Sequence, residues 1–180
     1  MNGNEHLTLI VMGVCGVGKT SVARTLSEQL SGLYVEADEF HSAENIDAMR
    51  HGVPLTDAMR EPWLRGIASQ IQSLHRAQPG KDVVVACSAL KQSYRDILRT
   101  DLPEAKFVFL TAPRDLIAAR MTTRADHFMP LTLLDSQLSD LEPPTAAEDH
   151  LIIDASPNQN RIVEDVLAQL SSAAPNAGQA

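Results

Sequence analysis

The chain has 180 residues, a formal net charge of −8 and a pI near 5.1, with 44% hydrophobic and 21% charged residues. A chain of this length and apolar content is expected to form one compact α/β domain burying roughly two thirds of its unfolded surface, and its negative overall field disfavours a nucleic acid or a membrane surface as principal partner. No apolar stretch approaches the ~20 residues of a membrane span, residues 1–6 lack a charged-then-apolar secretory pattern, and Cys15 and Cys87 suggest no disulfide framework, so a cytoplasmic setting is the expectation.

The apolar run Leu7, Leu9, Ile10, Val11, Met12 reads as a buried strand. It leads into Gly13-Val14-Cys15-Gly16-Val17-Gly18-Lys19-Thr20, which fits G-x-x-x-x-G-K-[ST] at every fixed position. In that pattern the glycines let backbone N–H groups turn onto a β-phosphate, the lysine bridges β and γ oxygens, and the threonine hydroxyl reaches Mg2+. Val22, Ala23, Leu26 and Leu30 repeat at helical spacing directly afterwards, so a helix N-terminus aims its positive end at the same anion. The residues thus point to a nucleoside triphosphate site with Lys19 and Thr20 as its charged and metal-facing members.

A second strand, Leu33 to Val35, opens into Glu36-Ala37-Asp38-Glu39-Phe40-His41. In an open parallel sheet the ligand crevice lies beyond the carboxyl ends of strands, so these acids belong at the mouth of the phosphate site. Phosphoryl transfer to an alcohol needs a carboxylate that orients the hydroxyl and takes its proton. Asp38 is assigned that role, Glu36 a metal-bound water, and His41 a hydrogen bond to a polyhydroxylated acceptor. Arg60 precedes an apolar helical stripe, Trp63, Leu64, Ile67, Ile71 and Leu74, that stops at Pro79-Gly80.

The third strand, Val83 to Ala86, ends in Cys87-Ser88 where motor ATPases and GTP switches commonly carry a metal-binding aspartate. Its absence favours a small-molecule kinase in which Ser88 and the second-strand acids serve the metal through water. No Asn-Lys-x-Asp segment is present to read guanine, so ATP is the expected nucleotide. Lys91 follows closely and is placed to meet either an acceptor carboxylate or a phosphate oxygen. A fourth strand spans Phe107 to Leu110; Arg120 and Arg124 then bracket a turn of helix, and residues 122–142 read as a lid that excludes water from the γ-phosphate. Arg120 and Arg124 are both expected at ATP. Leu131, Leu134, Leu138 and Leu141 form a stripe ending at Pro143-Pro144, Leu151 to Ile153 a fifth strand, and Ile162, Val166, Leu167 and Leu170 a last helix. Residues 171–180 read as a frayed tail, and Asp154-Ala155-Ser156 as a neighbour of the adenine. The architecture expected is a single P-loop kinase domain: a five-stranded parallel sheet, helices on both faces, and a lid.

Met12 to Thr20, Ala37 to His41, Gly52 to Asp57, Arg60 to Leu64, Ala86 to Lys91, Tyr94 to Asp96 and His127-Phe128-Met129-Pro130 together resemble the gluconokinases of the short P-loop type, relatives of shikimate kinase. The phosphate loop is widely shared; the Cys-Ser-Ala-Leu-Lys, Pro-Leu-x-Asp and His-Phe-Met-Pro segments are narrow to this family. The resemblance implies Mg2+-dependent transfer of phosphate from ATP to the terminal hydroxyl of D-gluconate, in an enzyme that is commonly a homodimer. It implies a lid role for Arg124 and its neighbours, with Lys19 and Arg124 neutralising charge on the γ-phosphoryl. Asp38, His41, Arg60, Lys91 and His127 are then the residues facing the acceptor.

Three positions depart from the family pattern: Ala48 stands for a lysine, Met59 for an aspartate and Asp126 for a glycine. All three touch the acceptor region or lid, where loss of one polar partner changes selectivity strongly. They keep open an alternative acceptor, another sugar acid or a polyol. A third reading, a nucleotide-binding regulatory protein without transfer activity, is opposed by Lys19, Thr20, Asp38 and Arg124, since binding alone needs no positioned base.

Overall fold

A computed structural model describes residues 6–51, 53–123 and 131–173. Five strands, β1 (Thr8–Met12), β2 (Leu33–Glu36), β3 (Val83–Ala86), β4 (Ala105–Thr111) and β5 (His150–Asp154), pair in parallel in the order β2-β3-β1-β4-β5. Every residue of β1 and β3 is buried, as continuous apolar runs should be when helices cover both faces of a parallel sheet.

Because side chains alternate along a strand, β1 divides its residues between two cores. Leu9 and Val11 pack with Val84, Val108, Leu110 and Ile153 under α1 (Lys19–Gln29) and α7 (Gln159–Ala173), joined by Ile117 of α5 (Arg114–Thr122) and Leu134 of α6 (Leu131–Asp140). Ile10 and Met12 pack with Val85, Phe107 and Phe109 under α3 (Asp57–Ala77) and α4 (Gln92–Asp101). Central β1 lies between β3 and β4, and the connections leaving β1 and β3 run to opposite sides of the sheet. That reversal opens a crevice at the carboxyl ends of β1 and β3. The backbone N–H of Gly13 donates to the Ser88 carbonyl at 3.3 Å, tying the two post-strand loops together.

All five strands read from the sequence are present, as are the helices carrying the apolar stripes. Three helices lacked a legible stripe. The only buried residue of α2 (Ala43–Arg50) is Asn45, and α4 buries Tyr94, Leu98 and the charged Arg95. In α5 only Ile117 and Met121 are buried. Residues 37–40, directly after β2, form a short 3-10 helix. Helix α7 continues to Ala173, three residues past Leu170 and into the stretch read as a tail. Of the predicted lid, residues 124–130 lie outside the described residues, while α6 behind them is anchored by fully buried Leu134. Among the described residues no helix is long and apolar enough to cross a membrane.

Among the described residues one ion pair is buried on both sides. Arg95 Nε and Nη2 donate to the two Glu148 oxygens at 2.6 and 3.0 Å, and Arg95 Nη1 donates to the carbonyls of Ala89 and Leu90, both at 3.2 Å. Glu148 also accepts from the Thr145 backbone at 3.0 Å and lies 3.0 Å from Arg99 Nη1. A paired, fully hydrogen-bonded geometry offsets the desolvation of two buried charges. Through it α4, the segment before β5 and the 88–91 loop, where Ala89 holds a left-handed φ of 42°, are fixed to one another.

The bond from Arg95 holds the Glu148 carboxyl at about 2, against an ordinary 4.5. A carboxylate depressed in the folded state contributes stability that is complete above pH 4.5 and is lost as pH falls toward about 2. Glu148→Ala, which strands Arg95, is expected to lower unfolding free energy by about 3–5 kcal/mol at neutral pH. Urea melts of Glu148→Gln between neutrality and pH ~2.5 should show a weaker acid-side loss than those of the natural chain. Parallel acid-side curves would show that this carboxylate does not govern the acid limb.

Candidate active site

Gly13, Gly16 and Gly18 take φ of 141°, 77° and 110°, values that side-chain-bearing residues adopt at a cost. At Gly13 there is also no room: a Cβ there would sit 2.7 Å from the Leu110 carbonyl oxygen. Gly18 is the N-cap of α1 and supplies no side-chain cap, so first-turn amides remain free to bind an anion. The loop therefore presents a concave backbone at the carboxyl end of β1.

Lys19 reaches back across this loop, its Nζ donating to the Val14 carbonyl at 3.1 Å. Burial pushes its ammonium below the usual lysine range, and the Asp38 carboxylate opposes that shift. Thr20 Oγ1 donates to Glu36 Oε2 at 3.0 Å, and the Tyr34 hydroxyl donates to the same oxygen at 2.5 Å. Burial foremost pushes the Tyr34 phenol up to about 12, so it stays a donor. Hydroxyl and carboxylate oxygens held together suit Mg2+, which takes one or two protein oxygens and fills its octahedron with phosphate and water. Among the described residues no group of three or more His, Cys, Asp or Glu could hold a metal ion.

Both thiols are buried and free. Burial raises the Cys15 thiol and pushes Cys87 up to about 12, so neither supplies a thiolate nucleophile near neutrality.

The residues expected at the acceptor come from three elements. Arg60, in the first turn of α3, donates from Nη1 to the Leu55 carbonyl at 2.6 Å and to the Tyr94 hydroxyl at 3.0 Å. Tyr94 donates to Asp57 Oδ1 at 2.5 Å, and Lys91 Nζ donates to the same oxygen at 3.2 Å. Asp57, held below the usual carboxylate range by Tyr94 first and Lys91 second, thus gathers both predicted cations around one carboxylate. Asp38 is on the exposed side of the 3-10 helix, and His41 ends that helix with its ring stacked on Trp63 at 4.3 Å. Beside them Phe40, Ser42, Asn45, Met59, Pro62 and Trp63 line a cavity of about 300 Å³. A hollow of about 260 Å³ that includes Thr8 and Ala105 lies at the other ends of β1 and β4, away from this chemistry.

Arg120 is committed to carbonyls, donating to Ala155 at 2.6 Å and Ser156 at 2.9 Å. It thereby joins α5 to the segment after β5 that was read as a neighbour of the adenine. Arg124 and His127 lie outside the described residues. Sequence reasoning quoted Asp57 and Tyr94 only within the family segments, with no role of their own, and missed Gln137. The Gln137 side chain, on α6, accepts from the Cys15 backbone N–H at 2.6 Å, so α6 touches the phosphate loop. The signal for Asp57 and Tyr94 was their place in the Gly52 to Asp57 and Tyr94 to Asp96 segments; Gln137, isolated in a polar helix face, carried none.

A family model described as an AAA domain matches residues 9–130. Over 145 residues the chain is 41% identical to the thermosensitive gluconokinase of Escherichia coli (strain K12), a match covering 81% of this chain and 76% of that protein. Its structure resembles the crystal structure of a gluconokinase from Sinorhizobium meliloti 1021, with a TM-score of 0.83, 42% identity and 94% of each chain covered. Similarity to shikimate kinase from Aquifex aeolicus, at 14% identity with a TM-score of 0.62 over 95% of this chain and all of that one (100%), is a likeness of fold.

The two ends of the loop make a graded steric test. Gly13→Ala combines a left-handed φ with a backbone clash and should lower unfolding free energy by roughly 2–4 kcal/mol. Gly18→Ala meets nothing within 4 Å and should cost only the conformational term, about 1–2 kcal/mol. Denaturant melts of the two variants should separate them in that order; equal losses would mean that the Leu110 contact does not constrain the loop.

Proposed function

The chain belongs to the gluconokinase family, and from that membership we propose that it transfers the γ-phosphoryl group of ATP to the terminal hydroxyl of D-gluconate, giving 6-phospho-D-gluconate and ADP. The observation that carries this reading is the Thr20–Glu36 hydrogen bond beside Lys19, with the Arg60–Lys91 pair gathered at the neighbouring acceptor side. A phosphate cradle and two cations suited to a sugar acid's carboxylate are what this reaction requires.

In the proposed mechanism, the amides of residues 13–20 and the Lys19 ammonium bind the triphosphate, and Arg120 steadies the nucleotide side through the 155–156 segment. Thr20 and Glu36 would hold Mg2+, directly or through water, and the ion would neutralise phosphate charge. Arg60 and Lys91 take the acceptor carboxylate, and His41 and His127 take its hydroxyls. Asp38 orients the attacking hydroxyl and accepts its proton as the new O–P bond forms. The bond to the β-phosphate oxygen breaks, and its electron pair leaves with ADP. Lys19 and Arg124 meet the charge that develops on the transferring group, which is the largest contribution expected in a reaction with a loose transition state. The same reading includes a single kinase domain, a lid over 122–142, a cytoplasmic setting and a homodimer.

A coupled ADP-release assay over sugar acids, polyols and shikimate tests the acceptor. Gluconate should be the best substrate; turnover with another acceptor and none with gluconate would replace the substrate and leave the kinase. Asp38→Asn should lower kcat by about 100-fold or more with ATP affinity retained, and unchanged turnover would remove Asp38 as the base. Lys19→Ala should weaken both ATP binding and transfer, and normal activity in that variant would contradict the phosphate-loop assignment.

A further inference from the structure

Helix α2 presents an anomaly of packing. Ser42 caps it, its Oγ accepting from the Asn45 backbone at 3.2 Å, and Asn45 is the helix's only buried residue. An amide that is 4% exposed contributes nothing to an apolar core and is retained only where its hydrogen bonds are met. Its Nδ2 group has two hydrogens: one is donated to the Met59 carbonyl at 3.1 Å, and the same nitrogen lies 3.4 Å from His41 Nδ1. A carbonyl can only accept, which fixes the nitrogen as the end of the amide facing Met59. The remaining hydrogen then faces His41 Nδ1, and that ring nitrogen must be the acceptor.

The ring is fixed in a second way by Trp63. The indole lies beneath the imidazole with an interplanar angle of 14°, and its Nε1–H donates to the Ala37 carbonyl at 2.7 Å. Ala37 immediately precedes Asp38, so one buried side chain supports both the histidine and the backbone carrying the proposed base. Burial, with Arg60 of α3 adding to it and Asp38 opposing it, lowers the His41 pKa. The imidazole is therefore neutral at physiological pH, and its tautomer matters.

We propose that Asn45 and Trp63 are positioning residues that hold His41 as the Nε2–H tautomer, making it a hydrogen-bond donor to an oxygen of the acceptor. The proposal deepens the acceptor reading given above and rests on it for the identity of that oxygen. A donor tautomer recognises a hydroxyl or carboxylate oxygen without adding positive charge beside Asp38, which has to accept a proton. Met59 enters through its backbone carbonyl, and the residue lines the adjoining cavity. The carbonyl bond to Asn45 therefore does not depend on the side chain at the position where the family pattern has aspartate.

The test is direct. Long-range 1H–15N correlation spectra of histidine-labelled protein at pH about 8, where a neutral imidazole dominates, should show His41 with Nε2 protonated and Nδ1 bare, its signals identified by their loss in His41→Gln. Protonation at Nδ1, or averaging between tautomers, in the natural chain would overturn the proposal whether or not gluconate is the acceptor. Asn45→Asp places an acceptor where the donor was and should move His41 to the Nδ1–H or doubly protonated form; an unchanged spectrum would remove Asn45 from the role. With gluconate as acceptor, Asn45→Ala should raise its KM about tenfold, the effect of one hydrogen bond, with the KM for ATP unchanged. Equal rises in both would mark a general structural defect and count against a positioning role. If the natural chain leaves gluconate unphosphorylated, the acceptor assignment fails, while the tautomer is still decided by the spectrum.

Discussion

The absence of a side chain at Gly13 is the constraint from which the site follows. Its Cα stands so close to the Leu110 carbonyl that no other residue fits without displacing backbone, and its N–H is spent on Ser88. The strand β1 is thereby made to stop, turn and expose successive amides while still touching its neighbours β3 and β4. Close-packed interiors do not yield gradually, so the turn is held in a single shape. The helix that follows inherits its direction from this turn, and so do Lys19 and Thr20, the residues that a phosphate would meet.

The charges are arranged on a second level. A protein with a net charge of −8 nevertheless collects Lys19, Arg60 and Lys91 at one end of its sheet. Each is held by a weak or shared partner: Lys19 by a carbonyl, Arg60 by a carbonyl, a phenol and the Asp57 carboxylate at 3.9 Å, and Lys91 by that same exposed carboxylate, which also receives the Tyr94 hydroxyl. Such partners orient a cation without neutralising it fully, which leaves attraction for an anionic ligand and little reorganisation when one arrives. The buried Arg95–Glu148 pair does the opposite. Its charges are satisfied internally, and its effect is mechanical, since Arg95 grips the Ala89 and Leu90 carbonyls just before Lys91.

The two levels meet at the short helices. The 3-10 helix carrying Asp38 begins at the residue that Trp63 holds, and α2 is docked through the polar Asn45 and without an apolar stripe. Elements docked by polar contacts shift more readily than those embedded in a core. Asp38, His41 and Asn45 accordingly sit on short elements with few buried residues, whereas the phosphate loop follows a fully buried strand.

The strands and the phosphate loop were legible in the sequence because both are written locally. A buried parallel strand is a run of apolar residues, and an anion-binding turn is a fixed spacing of glycines before a lysine. Asp38, Glu36 and the cations Arg60 and Lys91 were legible as candidates because they follow strands or open a helix. Helices α2 and α4 were not, since their buried residues include an asparagine and an arginine that no hydrophobic period announces. Only tertiary structure decided that Tyr94 and Asp57, 37 residues apart, share a hydrogen bond. The same holds for Gln137 reaching the Cys15 backbone across 122 residues; Asn45 stands only four residues after His41, but its burial against the Met59 carbonyl of another helix is again tertiary. These pairings join groups from different segments of the chain, and nothing in the spacing of either partner encodes the other. They come into being when the two cores close on the sheet and bring distant polar groups within 3.5 Å of one another.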